Sequence, residues 1–131
     1  MEAPIRRRRP AVSRGRTDLS FVNRNLRLGR IVVADCVNPW PLTRGEWRAV
    51  ADRTGVPALG VEIVCSDAGE HRRRVETRAT DITGHRLPTW QEVVERDYRA
   101  WDVERMVIDT ARLSVEQTCS RFSPKYPPTC T

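Results

Sequence analysis

Apolar residues fall in short groups along this chain, and their spacing switches several times between helical and strand-like. Leu19, Val22 and Leu26 recur at helical spacing, and Gly29 stands where that helix would stop. Ile31 to Ala34 then form an unbroken apolar run ending on Asp35, which predicts a buried strand over about 31–35. Thr43 and Glu46 have capping-box spacing for a helix whose inner face carries Trp47, Val50 and Ala51 and which Gly55 and Pro57 end. A second strand is predicted over 59–65. Asp67 and Glu70 cap a helix over 68–79 whose only large aliphatic residue is Val75. A helix that polar cannot bury a wide face, so it is expected to leave the body of the domain. Thr89 and Glu92 form another capping box, with Val93, Val94, Asp97, Tyr98 and Trp101 following on a helix. A third strand over about 105–109, centred on Met106–Ile108, again ends on an acid, Asp109. Ser114 to Gln117 opens a last helix that runs to about Phe122.

Strands that alternate with helices imply an α/β fold, a three-layer arrangement around a parallel sheet with right-handed crossovers. Ligands of such sheets sit beyond the carboxyl ends of the strands, where Asp35, Ser66, Asp67 and Asp109 all lie.

The length of 131 residues suits one domain. Residues 1–16 hold Pro4, Pro10 and six arginines without apolar periodicity and are expected to form a disordered basic arm. The domain then spans 17–122, and 123–131, with three prolines, is an irregular tail. The net charge of +6 suits a polyanion. Lys125 is the only lysine, however, and an Arg-rich, Lys-poor chain reads as a translation of GC-rich DNA, which accounts for part of the basicity. Cys36, Cys65, Cys119 and Cys130 form no C-x-x-C and lie at no metal-ligand spacing with histidine, so neither zinc nor a disulfide framework is expected. No run approaches the ~18 apolar residues of a membrane helix, and the basic start is not followed by an apolar core of a signal peptide. The expectation is a cytoplasmic protein with no membrane partner.

Two features could carry chemistry. Asp35 reads either as a Mg²⁺ partner or base beside a phosphate, or as a carboxylate that caps a helix or loop. Arg74 and Arg78, four apart on a helix that also holds Arg72 and Arg73, could clamp a phosphoryl group with forked hydrogen bonds. The same arginines could instead form a solvated face partnered by Glu70 and Glu76. His71 and His85 read as surface residues, and Trp40, Trp47, Trp90 and Trp101 as core or loop anchors.

The stretch "NLRLGRIVVADCVNPWPLTRGEWRAVADRTGVP" followed by "VEIVCSDAGEHRRRVETR" resembles the later two-thirds of small bacterial P-loop kinases, AAA-type ATP-binding proteins related to gluconate kinase, polynucleotide kinase and zeta toxin. The resemblance runs from about Asn25 to Phe122 and rests on Val-Val-x-Asp, Arg44 and Trp47, a Cys-Ser-Asp strand end and Arg-x-x-x-Arg. It implies ATP and Mg²⁺ as cofactors and a small hydroxyl compound as phosphoryl acceptor. Asp35 would organise Mg²⁺ or the acceptor, and Arg44 would act beside it. Arg74 and Arg78 would close over the triphosphate, Asp109 would border the adenine pocket, and residues 79–89 would form a mobile lid. Phosphoryl transfer asks mainly for positioning and charge neutralisation, which arginines and a metal supply.

One departure is large. The Gly-x-x-x-x-Gly-Lys-Ser/Thr loop that cradles the phosphates in that family occurs nowhere in the chain. The expectation is therefore a truncated kinase-like domain, weakly active or inactive alone. An unpaired sheet edge, left by the missing central strand, would then favour self-association and marginal stability. The alternative is a non-catalytic protein that binds an anion or nucleic acid through its basic residues, including residues 6–16.

Overall fold

The computed structural model describes residues 16–122; the basic arm, save Arg16, and the tail lie outside the described residues. The chain divides into two compact units, residues 1–58 and 59–131.

In the first unit, α1 (Arg16–Arg27) packs against α2 (Pro41–Thr54). Leu19, Val22 and Leu26 are half-buried, as their spacing predicts, and Val50 and Ala51 of α2 are buried. Gly29 (φ +71°) and Gly55 (φ +68°) end the two helices in the left-handed conformation that glycine adopts without a Cβ penalty. The Gly55 amide donates back to α2 carbonyls.

The start of α2 differs from the expectation. Thr43 is not its cap. Pro41 occupies the first helical turn, where its missing N–H and fixed φ suit the position, so Trp40 is the cap and the helix begins three residues earlier. Thr43 instead donates its hydroxyl hydrogen to the Trp40 carbonyl at 2.9 Å.

The predicted strand over 31–35 is not formed. These residues belong to no helix, strand or turn, and Ile31 and Val33 are 82% and 85% exposed. A strand requires a neighbour for its N–H and C=O groups. Among the described residues the first unit contains no other strand.

The second unit contains β1 (Val61–Val64), α3 (Ala68–Thr77), α4 (Trp90–Val94), β2 (Met106–Asp109) and α5 (Val115–Phe122). The mixed helix and strand content fits the α/β class, with a sheet of two strands rather than three. β1 and β2 pair in parallel, Val61 against Met106 through Val64 against Asp109. Ile108 is the fully buried centre of this unit, at 1% exposure.

The caps follow the sequence closely. Asp67 accepts the Glu70 amide at 2.9 Å to open α3. Ser114 and Gln117 exchange amide and side-chain bonds to open α5. Thr89 and Glu92 make the full reciprocal box at α4.

Arg86 adds a forked pair to the Glu92 carboxylate, at 3.0 and 2.6 Å, and so ties residue 86 to α4. Arg86 first, and the Thr89 amide next, hold the Glu92 carboxyl at about 2, against an ordinary value of 4.5. A depressed carboxyl contributes its stabilisation above its unfolded value and loses it as pH falls through the folded one. The Thr89 amide, which donates to Glu92, is therefore expected to keep a constant protection factor, the intrinsic exchange rate at each pH divided by the observed one, at pH 5 and above. That protection factor should fall towards one as pH drops from 4.5 towards 2. Unchanged protection at the acid end of that range would show that Glu92 does not hold the cap.

The predicted helix through Trp101 stops at Val94. Beyond it the polar tips of the aromatic residues are turned to a strand carboxylate. Trp101 Nε1 donates to Tyr98 Oη at 2.7 Å, and Tyr98 donates to Glu62 Oε1 at 3.2 Å. Arg105 pairs with Glu62 Oε2 at 2.6 Å and stands 6.0 Å from the Trp101 ring centroid. Glu62, in the middle of β1, thereby fixes residues 98–105 in a non-helical path. Among the described residues no helix is long and apolar enough to cross a membrane.

Candidate functional site

The five residues singled out by sequence divide between the units: Asp35 and Arg44 in the first, Arg74, Arg78 and Asp109 in the second.

Arg44 lies on α2 and is buried at 7% exposure. Its Nε donates to the Asn38 carbonyl at 2.8 Å and its Nη2 to the Pro39 carbonyl at 3.2 Å. Trp47 adds a bond from Nε1 to Asn38 Oδ1 at 3.0 Å. One turn of helix thus grips the Asn38–Pro39–Trp40 approach, and the guanidinium serves its own backbone. Asp35 is exposed and lies in the segment that forms no strand. Mg²⁺ sites in phosphoryl-transfer proteins combine one or two fixed carboxylates with substrate phosphates. A single exposed carboxylate on a segment without a ladder does not fit a resident Mg²⁺. Among the described residues there is no group of three or more His, Cys, Asp or Glu that could hold a metal ion.

At the carboxyl end of the sheet, Asp109 Oδ1 accepts from the amides of Ser66 at 3.0 Å and Ala111 at 3.1 Å. Its other oxygen meets Arg112 at 3.4 Å. Ser66, through its side chain and its amide, holds the Asp109 carboxyl below the usual carboxylate range, with Ala111 and Arg112 adding to the effect. The acid that ends β2 therefore laces the two strand ends together.

Arg74 reaches the same end of the sheet from α3. Its Nε donates to Glu70 at 2.6 Å, Nη1 to Thr110 Oγ1 at 2.9 Å, and Nη2 to the Thr110 carbonyl at 3.2 Å. Thr110 in turn donates to the Val64 carbonyl at 3.0 Å. Arg73 and then Arg74 hold Glu70 at about 2. Arg74 thus fastens α3 to both strands.

The expected Arg74–Arg78 clamp is absent. α3 ends at Thr77, and Arg78 is its C-terminal cap in extended backbone (φ −67°, ψ 131°), so the two side chains do not share a helical face. Arg78 instead lines a cleft of about 340 Å³ with Val75, Glu76, Leu87, Pro88, Thr89 and Trp90. Neither Arg74 nor Asp109 borders it. Trp90 is steadied by His71, edge to face at 5.1 Å between ring centres and 86° between planes. Glu76, the acid at the rim, is paired with Arg72 at 2.8 Å. Among the described residues no hydrogen bond or ion pair engages the Arg78 guanidinium. This leaves one uncommitted cation beside an aromatic and apolar wall.

The roles of Leu87, Pro88 and Trp90 in this cleft were not anticipated. The signal for Trp90 was the Thr89–Glu92 cap, which fixes it as the first residue of α4. The hub at Glu62 also had a signal, a lone acid inside the apolar run "VEIV".

No family model, curated protein or solved structure matches the chain.

Proposed function

We propose that the second unit binds a nucleotide-like anion in the cleft between α3 and the start of α4, and that this chain alone does not transfer a phosphoryl group. The observation that carries the reading is Arg78. Of the three candidate arginines, Arg44 and Arg74 are spent on the protein's own backbone and side chains, whereas Arg78 has no partner among the described residues and borders a cleft walled by Trp90, Leu87 and Pro88. A flat base lies against the aromatic and aliphatic wall, and a phosphate takes a forked, charge-assisted contact from Arg78. The resemblance to P-loop kinases supports a nucleotide as the ligand class. The lack of Gly-x-x-x-x-Gly-Lys in the sequence, together with the commitments of Arg44, Arg74 and Asp109, supports binding without transfer.

Titration calorimetry with ATP, ADP and adenosine tests this on the full chain. Both nucleotides should bind, adenosine more weakly, and Arg78→Gln should weaken ATP binding about tenfold, the worth of one hydrogen bond to a charged group. Asp35→Asn should leave binding unchanged. Equal affinity for ATP in the wild type and Arg78→Gln would refute the site. Turnover of ATP in the presence of Mg²⁺ would refute the absence of transfer. A salt-dependent DNA shift abolished by deleting residues 1–16, without nucleotide binding, would replace this reading with a nucleic-acid-binding one.

A further inference from the structure

Two features of the chain lack what the other supplies. The first is β1. Its hydrogen bonds with β2 run through Gly60 and Val64, whose carbonyls take the amides of Met106 and Thr110 at 2.9 and 2.8 Å. In a parallel ladder bonding residues alternate. The backbone groups of Val61 and Ile63 therefore point to the opposite edge. Among the described residues no backbone bond reaches that edge. The outer edge of β2 is different, since the Asp109 carbonyl there accepts the amides of Arg112 and Leu113. Ile63, on the open strand, is 69% exposed. Parallel sheets are ordinarily covered on both faces and rarely stop at two strands.

The second feature is the segment 31–34. It has the β-branched composition of a buried strand but no ladder, and Ile31 and Val33 are among the most exposed large apolar residues of the chain. Alternation places these two on one face of a strand. An open edge next to an exposed isoleucine and an unladdered Ile-Val-Val-Ala run are complementary in backbone and in side chain.

We infer that residues 31–34 of one copy add as a strand to the outer edge of β1 in a second copy, with Ile31 and Val33 set beside Ile63. Reciprocal exchange gives two identical contacts and closes a twofold dimer. The partner is another copy of this chain: every copy carries both the edge and the run, and among the described residues the run makes no backbone bond within its own chain. Protection of 31–34 in a monomer at every concentration would mean that the run pairs within its own chain and would overturn the inference. The inference is independent of the nucleotide cleft, which involves none of these residues.

Sedimentation velocity of the full chain over the micromolar range tests it, with hydrogen exchange read in parallel. A monomer–dimer equilibrium is expected, with the amides of 31–34 and of Val61 and Ile63 slowing as concentration rises. The double variant Ile31→Lys with Val33→Lys, and separately Val33→Pro, should each raise the dimer dissociation constant at least about tenfold, the first by charge on the buried face and the second by loss of a backbone donor. Ile63→Lys, from the receiving side, should do the same. All three positions are exposed, so the far-ultraviolet circular dichroism of each variant should match the wild type. A monomer at every concentration would overturn the inference. So would a dimer indifferent to Val33→Pro and Ile63→Lys.

Discussion

Ile108→Ala is expected to unfold the second unit, or to leave it on the edge of unfolding, with a loss of about 2–5 kcal/mol. Ile108 is 1% exposed and sits at the middle of β2, opposite Ile63 in the parallel pair. It is the one fully buried aliphatic side chain among the described residues of that unit. Truncation removes three carbons from contact and leaves a void that a short two-stranded sheet has little means of closing. Typical domains hold only about 5–15 kcal/mol in reserve, and a unit with so small a buried centre lies at the low end. Urea unfolding followed by circular dichroism measures the effect as a lowered midpoint or a lost transition. Val107→Ala, at a position 42% exposed on the other face, should cost well under half as much. Equal effects at the two positions would mean that the core is not where Ile108 marks it.

Arg44→Ala is expected to destabilise the first unit by about 3 kcal/mol. The side chain is buried, and its loss leaves the Asn38 and Pro39 carbonyls without their donors. Arg44→Lys should recover little, because a single ammonium cannot reproduce the separate directions of Nε and Nη2. Asp35→Ala, at an exposed neighbour in sequence, should leave stability unchanged. Thermal unfolding of the three variants decides between this account and a transfer role for Arg44. A stable Arg44→Ala protein with altered nucleotide binding would favour the transfer role.

Much of the local structure was legible because it is decided by neighbours in sequence. Gly29 and Gly55 stop helices through a conformation that only their own lack of a side chain makes easy. The Thr89–Glu92 and Ser114–Gln117 caps each satisfy free amides within four residues. The two apolar runs at 61–64 and 106–109 became paired strands. The run at 31–35 has the same composition and did not, because a ladder belongs to two segments and composition describes one. Helix α4 stopped short for a comparable reason: Tyr98 is drawn to Glu62, 36 residues away, and Trp101 to Tyr98.

The candidate site shows the same division. Arginine marked the positions, but what each guanidinium touches depends on the fold. Arg44 turned inward to its own loop and Arg74 to Thr110. Arg78 kept its charge uncommitted only because α3 ends one residue before it. The wall facing Arg78 comes from 87–90, which no spacing along the chain links to α3. The acids followed suit, since Asp109 spends its oxygens on Ser66, Ala111 and Arg112.

The most direct test of the nucleotide cleft is a ¹⁵N heteronuclear NMR titration of the full chain with ATP. Saturable shifts are expected, centred on Arg78, Leu87 and Thr89 and on the Trp90 indole, larger with ATP than with adenosine and much reduced in Arg78→Gln. Shifts centred instead on Asp35 and Arg44, or no saturable shifts at all, would contradict it.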